Sequence, residues 1–110
     1  MLNHKIAIYI PSTIKNQPAP TELVDKWLRA SKILLANLFG GFTTHAGQGG
    51  WFSHEHGLIE ENVTIVLAFT DQEGLTKLPK IIELAKEIAN DMNQEMVSVE
   101  VDGTLNLVSA

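Results

Sequence analysis

The sequence predicts an α+β fold in which two helices cover one face of an antiparallel sheet. Several short segments alternate apolar and polar residues with a period of two, as strands do. Two longer segments carry apolar residues at the three-four spacing of helices. The order is strand, helix, strand, strand, helix, strand, followed by a short final strand, which is the ferredoxin-like split βαβ arrangement.

Composition limits the classes of function that the chain can have. The 110 residues, 45% hydrophobic and 19% charged, fit a single domain spanning residues 1–110. Cysteine is absent, which excludes disulfides and thiolate catalysis and fits a cytoplasmic location. A net charge of -5 without a basic cluster argues against a nucleic-acid polymer as partner. The N-terminal apolar run is too short for a membrane span or a signal peptide, so we expect no membrane partner.

The first third of the chain reads as strand, loop and helix. Lys5–Ile10 alternates β-branched residues and is predicted to be a half-buried strand. The proline-rich stretch after it is predicted to be a loop leading to Thr21, whose hydroxyl could cap a helix. The helix should run from Thr21 to about Phe39, because its apolar residues share one face. Gly40–Gly41 should end it, since glycine adopts the left-handed conformation readily.

The middle of the chain is predicted to be a hairpin. Its arms are Phe42 to about Trp51 and Leu58–Thr70, and Phe52–Gly57 forms the turn. The second arm is apolar at nearly every position, as is typical of a central strand.

The last third repeats the pattern of helix and strand. A helix is predicted from about Thr76 to Asn93, with Pro79 tolerated in its first turn. Met96–Val101 alternates as a strand should, and Asp102–Gly103 is a two-residue turn into a short final strand.

Alternation also predicts which residues face the helices. We expect the covered face to hold Ile6, Ile8, Ile10, Ile65, Leu67, Phe69, Val97, Val99 and Val101. The open face should then hold Lys5, Ala7, Tyr9, Thr64, Val66, Ala68, Ser98 and Glu100. Because so mildly polar a face is costly to leave in water, we expect a homo-oligomer, most simply a dimer.

The stretch FGGFTTHAGQGGWFSHEHG, residues 39–57, contains six of the eight glycines and three of the four histidines. Gly47, Gly49 and Gly50 in a strand indicate a bulge, a bend or backbone that approaches something closely. One interpretation is therefore a bent hairpin arm. The other is an anion-binding cradle of backbone N–H groups beside Thr44 and His45.

The glycine-rich stretch also resembles a known group of sequences. The helix end FGGFT is followed by a G-x-G-x-W pattern at Gly47, Gly49 and Trp51, and then by Glu60–Glu61 ahead of an apolar strand. Over roughly Leu34–Phe69 the chain resembles small, largely uncharacterised bacterial and phage domains. The resemblance implies the ferredoxin-like fold and a role for Trp51, and it transfers no catalytic residue.

The histidines and carboxylates yield no clear catalytic or metal constellation. His54 and His56 lie in the predicted turn, too far from His45 to share a metal ion with it, so we expect no metal site and no cofactor. Glu60 and Glu61 are adjacent and point to opposite faces of a strand. The only convergence that the pattern suggests is Tyr9, His45 and Glu100 on the open face.

Three classes of function remain open. The first is an oligomeric binding domain that holds a small polar or anionic ligand, such as a nucleotide-like one. The second is a small dimeric α+β-barrel enzyme with His45 or Tyr9 in proton transfer, and the third is a protein–protein adaptor. For the first, the candidate ligand-binding residues are Tyr9, Thr44, His45, Gly47, Gly49, Gly50 and Trp51.

Overall fold

The computed structural model describes residues 1–110 and contains seven strands and two α-helices. The strands are β1 (His4–Pro11), β2 (Thr13–Ile14), β3 (Gln17–Pro18), β4 (Thr43–Ser53), β5 (Gly57–Thr70), β6 (Met96–Val101) and β7 (Thr104–Ser109). The helices are α1 (Thr21–Phe39) and α2 (Leu78–Asp91), and a 3₁₀ turn at Gly74–Lys77 precedes α2. No helix is long and apolar enough to span a membrane.

Five of the strands form one antiparallel sheet in the order β4-β5-β1-β6-β7. The mixed α+β class, the antiparallel sheet and the two helices are as the sequence predicts. The arrangement is compatible with a ferredoxin-like or related fold. It places the glycine-rich strand β4 at one edge and the short final strand β7 at the other.

The core lies between the sheet and the two helices. It is a cluster of 16 buried residues to which β1 contributes three isoleucines and α2 contributes a continuous apolar stripe. The largest fully buried side chains are Ile6, Ile8, Ile10, Leu35, Ile81, Ile88 and Met92. Because both helices lie against the same side, the opposite side of the sheet, here called the open face, has no covering layer.

The assignment of β5 to the two faces is a correction to the sequence prediction. Ile8 is opposite Val66, and Ile6 is opposite Ala68, so Val66 and Ala68 face the helices and belong to the core. Ile65, Leu67 and Phe69 lie on the open face instead. The pattern could not decide this, because β5 is apolar on both sides and a shift of one residue exchanges its faces.

The ends of α1 are partly as expected. Gly40 has φ +87°, and its N–H donates to the carbonyl of Ala36 at 2.9 Å, so it ends the helix in the left-handed conformation. Thr21 does not cap the helix: Pro20 occupies the N-cap position and no side chain caps the first turn. Proline preceding the helix fixes the chain direction without a side-chain acceptor.

The proline-rich stretch after β1 is more ordered than the predicted loop. Strands β2 and β3 pair there as a two-residue hairpin whose turn residues, Lys15 and Asn16, both have positive φ. Two positive φ values in succession define the tight turn that suits the twist of a hairpin.

Candidate functional site

The three glycines of β4 lie in an unbroken strand. Residues 43–53 pair one to one with residues 57–67, so the arm contains no bulge. None of Gly47, Gly49 and Gly50 has a positive φ. An anion-binding nest needs alternating right- and left-handed residues, so this backbone does not form the predicted cradle.

The steric surroundings of these glycines differ. A Cβ at Gly50 would lie 3.0 Å from the carbonyl oxygen of Ile59, which is shorter than an ordinary van der Waals contact. A Cβ at Gly49 would meet nothing within 4 Å, and one at Gly47 would make ordinary contacts with Val63 and Ile65 at 3.4 and 3.6 Å. A steric requirement of the fold therefore explains the glycine at position 50, but no such requirement explains those at positions 47 and 49.

Gly47 and Gly49 together form a bare strip on the open face. They are opposite Val63 and Glu61, which lie on this face with Ile65, and they separate the side chains of His45 and Trp51. His45 and Trp51 are six residues apart along the strand, or about 20 Å. The strip thus leaves a gap in which a flat molecule can approach the backbone.

The bare strip is one wall of a groove of about 420 Å³. Strand β1 contributes Tyr9 and Pro11 to it, and β5 contributes Glu61, Val63 and Ile65. The remaining lining residues are Gly47, Gln48, Gly49, Gly50, Gln94, Met96, Val97, Ser98 and Leu105. The lining mixes apolar and polar residues, and the volume lies within the range that is typical of small-molecule sites.

A second cavity of about 790 Å³ adjoins the groove at the distal end of the hairpin. The two share Gly50, Glu61, Gln94, Met96 and Ser98. The second cavity, here called the distal cavity, also contains Trp51 and three carboxylates, those of Glu60, Glu61 and Glu95, against one ammonium group, that of Lys15. The surroundings of a ligand in this region are therefore acidic.

A polar chain crosses the open face beside the groove. Tyr9 Oη donates to Glu100 Oε1 at 2.8 Å, and Lys5 Nζ lies 3.2 Å from Glu100 Oε2. The hydrogen bond to Glu100 is the main reason that the pKa of Tyr9 is raised, with burial and the carboxylate charge adding to it. The same bond, and then Lys5, lower the pKa of Glu100. At neutral pH Tyr9 is a hydrogen-bond donor, and Glu100 is ionised.

The structure separates the remaining candidate residues. His45 lies on the open face opposite Ile65, and Tyr9 is opposite the same Ile65 on its other side, so one strand separates His45 from Tyr9. Thr44 is opposite Val66 and points to the helix side, away from His45. Trp51 lines the distal cavity and is 57% exposed. Tyr9, Gly47, Gly49 and Gly50 are the candidates that line the groove together.

The turn histidines hold no metal cluster. His54 and His56 are exposed, and Ser53 Oγ accepts the backbone N–H groups of Glu55 and His56 at 3.2 Å each. No group of three histidine or acidic side chains in the chain is close enough to hold a metal ion.

Sequence reasoning missed several groove residues. Glu61, Gln94, Met96, Ser98 and Leu105 come from three separate parts of the chain. From the sequence, Glu61 is only one of two adjacent carboxylates that point to opposite faces of a strand. Alternation places Ser98 on the open face, but only the observed strand order and the groove that crosses it group Met96, Ser98 and Leu105 with the glycine strip.

No family model and no curated protein matches this chain. Among solved structures, it is similar to a phage SAM lyase in complex with S-methyl-5'-thioadenosine, with a TM-score of 0.67 and 20% identity over 97% of this chain and 89% of the other. The ligand-free form of a phage SAM lyase gives a TM-score of 0.68 and 19% identity over the same shares. Pyrococcus horikoshii CutA gives 0.47 and 8% identity over 97% and 83%. At these identities the two lyase comparisons establish a shared fold.

Proposed function

We propose that the chain is a small oligomeric binding domain that holds a nucleoside-type ligand on the open face of a ferredoxin-like sheet. The single observation that carries the proposal is the bare strip at Gly47 and Gly49, which the backbone conformation does not require. Missing side chains at two successive positions of one face leave room for a planar group against the strand.

Three features of the groove suit a nucleoside. Its volume of about 420 Å³ lies within the usual range for small-molecule sites. Val63, Ile65 and Met96 offer an apolar surface to a base, while Glu61, Gln94 and Ser98 offer hydrogen bonds to a sugar. The phage lyase of similar fold was solved with S-methyl-5'-thioadenosine, which makes this nucleoside the first ligand to test.

The charges favour a nucleoside over a nucleotide. Glu60, Glu61 and Glu95 line the distal cavity, and its one ammonium group is that of Lys15. A phosphate placed there would meet like charges in a partly enclosed space, which disfavours binding. This narrows the expected polar or anionic ligand to one without a phosphate.

An oligomer remains part of the proposal. On the open face, Phe69 is 50% exposed and lines neither the groove nor the distal cavity, so a contact with another copy through it leaves the site open. Phe52 and Leu58, at the end of the hairpin, add further exposed apolar surface. Burying such a surface against another copy would stabilise the assembly by about 25 cal/mol per Å² before association costs. We also place the protein in the cytoplasm, which a chain without cysteine suits.

Catalysis is the second candidate, and the fold shared with a SAM lyase favours it. Under this alternative the chain would cleave SAM rather than only bind a nucleoside. Tyr9 is a poor base for such a reaction, because its hydrogen bond to Glu100 keeps it protonated. His45 is exposed and lines neither the groove nor the distal cavity, so it is not placed to transfer a proton to a ligand there.

Calorimetric titration with S-methyl-5'-thioadenosine tests the binding function. We expect saturable binding with one site per chain, and weaker binding of AMP than of adenosine. Incubation with SAM, followed by chromatography of the products, distinguishes the two candidates, since a pure binding domain leaves SAM intact. If the protein binds neither S-methyl-5'-thioadenosine nor adenosine, the proposal is contradicted.

A further inference from the structure

The segment Ser12–Pro20, here called the strap, connects β1 to α1 and lies against the distal cavity. The N–H of Ala19 donates to the carbonyl of Ser12 at 2.9 Å, so the two ends of the strap are joined. Lys15 and Asn16 form its tight turn and line the cavity. The strap is thus a closed hairpin with a defined shape.

The strap is bonded to both walls of the cavity. On one side Thr13 Oγ1 donates to Glu61 Oε2, and Ser12 Oγ donates to the carbonyl of Asn62 at 2.5 Å. On the other side Gln94 Nε2 donates to the carbonyl of Thr13 at 2.7 Å. Thr13 therefore joins β5 to the connection between α2 and β6.

Glu61 connects the strap to the groove, because it accepts the hydrogen bond from Thr13 and also lines the groove. Its side chain is half-buried and lines both the groove and the distal cavity. Thr13 occupies one carboxylate oxygen, and Oε1 of Glu61 accepts no hydrogen bond from the protein. The second oxygen of the carboxylate can therefore accept a charge-assisted hydrogen bond from a ligand hydroxyl.

We infer that Thr13 is a positioning residue that holds Glu61 ready to accept a hydrogen bond from a hydroxyl group of the ligand. A ribose offers such hydroxyls. The inference rests on the proposed function and adds the chemical group that the site selects. Without the Thr13 hydroxyl, Glu61 is free to turn toward solvent, and the ligand must order it on binding.

Four variants separate positioning from a general effect on folding. Thr13→Val keeps the shape of the side chain and removes the donor, whereas Thr13→Ser keeps the donor. Ser12→Ala is the matched control, because it removes one hydroxyl bond from the same strap without touching Glu61. Glu61→Gln removes the charge of the acceptor.

For S-methyl-5'-thioadenosine we expect Thr13→Val to raise the Kd about five-fold and Glu61→Gln about ten-fold or more. Thr13→Ser and Ser12→Ala should stay within about two-fold of wild type. If Thr13→Val weakens binding no more than Ser12→Ala does, the positioning role is overturned. If wild type binds no nucleoside, the proposed function fails, and with it the ligand part of this inference.

A measurement without ligand tests the strap by itself. Trp27→Phe leaves Trp51, in the distal cavity, as the only tryptophan. In that background Thr13→Val should increase the quenching of Trp51 fluorescence by acrylamide, while Ser12→Ala should leave it nearly unchanged. Equal quenching in the two variants would show that Thr13 does not control the cavity.

Discussion

The hydroxyl of Tyr9 donates a 2.8 Å hydrogen bond to the carboxylate of Glu100 across neighbouring strands of the open face. Residues 91 positions apart in the chain are thereby joined at the edge of the groove. The bond raises the pKa of Tyr9 and lowers that of Glu100. Both shifts make the stability of the fold depend on pH.

Tyr9→Phe should reduce the free energy of unfolding by about 1 kcal/mol at neutral pH, as for a part-buried hydrogen bond. The pKa of Glu100 is below its ordinary 4.5, so its share is present above that pH and is lost as pH falls through the lowered pKa. The pKa of Tyr9 is above its ordinary 10.0, so its share is present below that pH and is lost as pH rises further.

Urea unfolding of wild type and Tyr9→Phe across the pH range checks this prediction. The difference between the two proteins should be largest between about pH 5 and 9 and should shrink at both ends. A difference that is the same at pH 3, 7 and 10.5 would contradict the assigned bond.

Gly74 should tolerate no side chain. A Cβ there would lie 1.7 Å from Oγ1 and 2.8 Å from Cβ of Thr70, which is buried at the end of β5. Rotating Thr70 cannot relieve both contacts, so the turn into α2 must move. We expect Gly74→Ala to cost about 2 kcal/mol or more in thermal unfolding. Gly41→Ala, in open space with an ordinary φ, is the control and should change the melting temperature little.

The turn histidines should be dispensable for the fold. His54 and His56 are exposed and make no hydrogen bond through their rings beyond the weak approach of His56 to Glu55. Replacing both with alanine should change the stability by less than about 1 kcal/mol. A larger loss, or stoichiometric zinc that disappears in the variant, would reveal a site that forms between copies of the chain.

Light scattering at micromolar concentration should give a mass above the 12.1 kDa of one chain. Phe69 is 50% exposed on the open face and lines neither the groove nor the distal cavity, so Phe69→Ser should lower the mass without blocking the site. Ile33→Ser is the control, because Ile33 is 47% exposed in the cleft between α1 and α2, on the helix side of the sheet. A wild-type monomer, or equal effects of both variants, would contradict association through the open face.

The sequence was sufficient for the two helices and the five strands of the large sheet, because each carries a strong local signal. The bounds of α1 are as predicted, and Asp102 and Gly103 adopt the positive φ of a two-residue turn. The prediction of which β5 residues face the helices was wrong. Both sides of β5 are apolar, so only its pairing with β1 defines its orientation. The second helix was predicted to begin at about Thr76, whereas Thr76 and Lys77 belong to the 3₁₀ turn and α2 begins at Leu78.

The candidate site was predictable only in part. The glycine run indicated the strand that lines one side of the groove, since glycine in a strand is unusual enough to need a reason. The other polar residues of the groove, Glu61, Gln94 and Ser98, have no local sequence pattern that indicates a site. Only the folded structure brings them together. Thr13 lies in a stretch read as a loop, and no local pattern indicates that its hydroxyl meets Glu61.

The binding of S-methyl-5'-thioadenosine to Gly49→Ala and Gly49→Val, measured beside their melting temperatures, tests the central claim most directly. A Cβ at Gly49 has open space and an ordinary φ, so the alanine variant should melt within a few degrees of wild type. It should bind the nucleoside about ten-fold more weakly, and the valine variant more weakly still, because the added carbons fill the bare strip. Gly41→Ala should bind as wild type does. Wild-type affinity in both Gly49 variants would contradict the assignment of the strip as the binding surface.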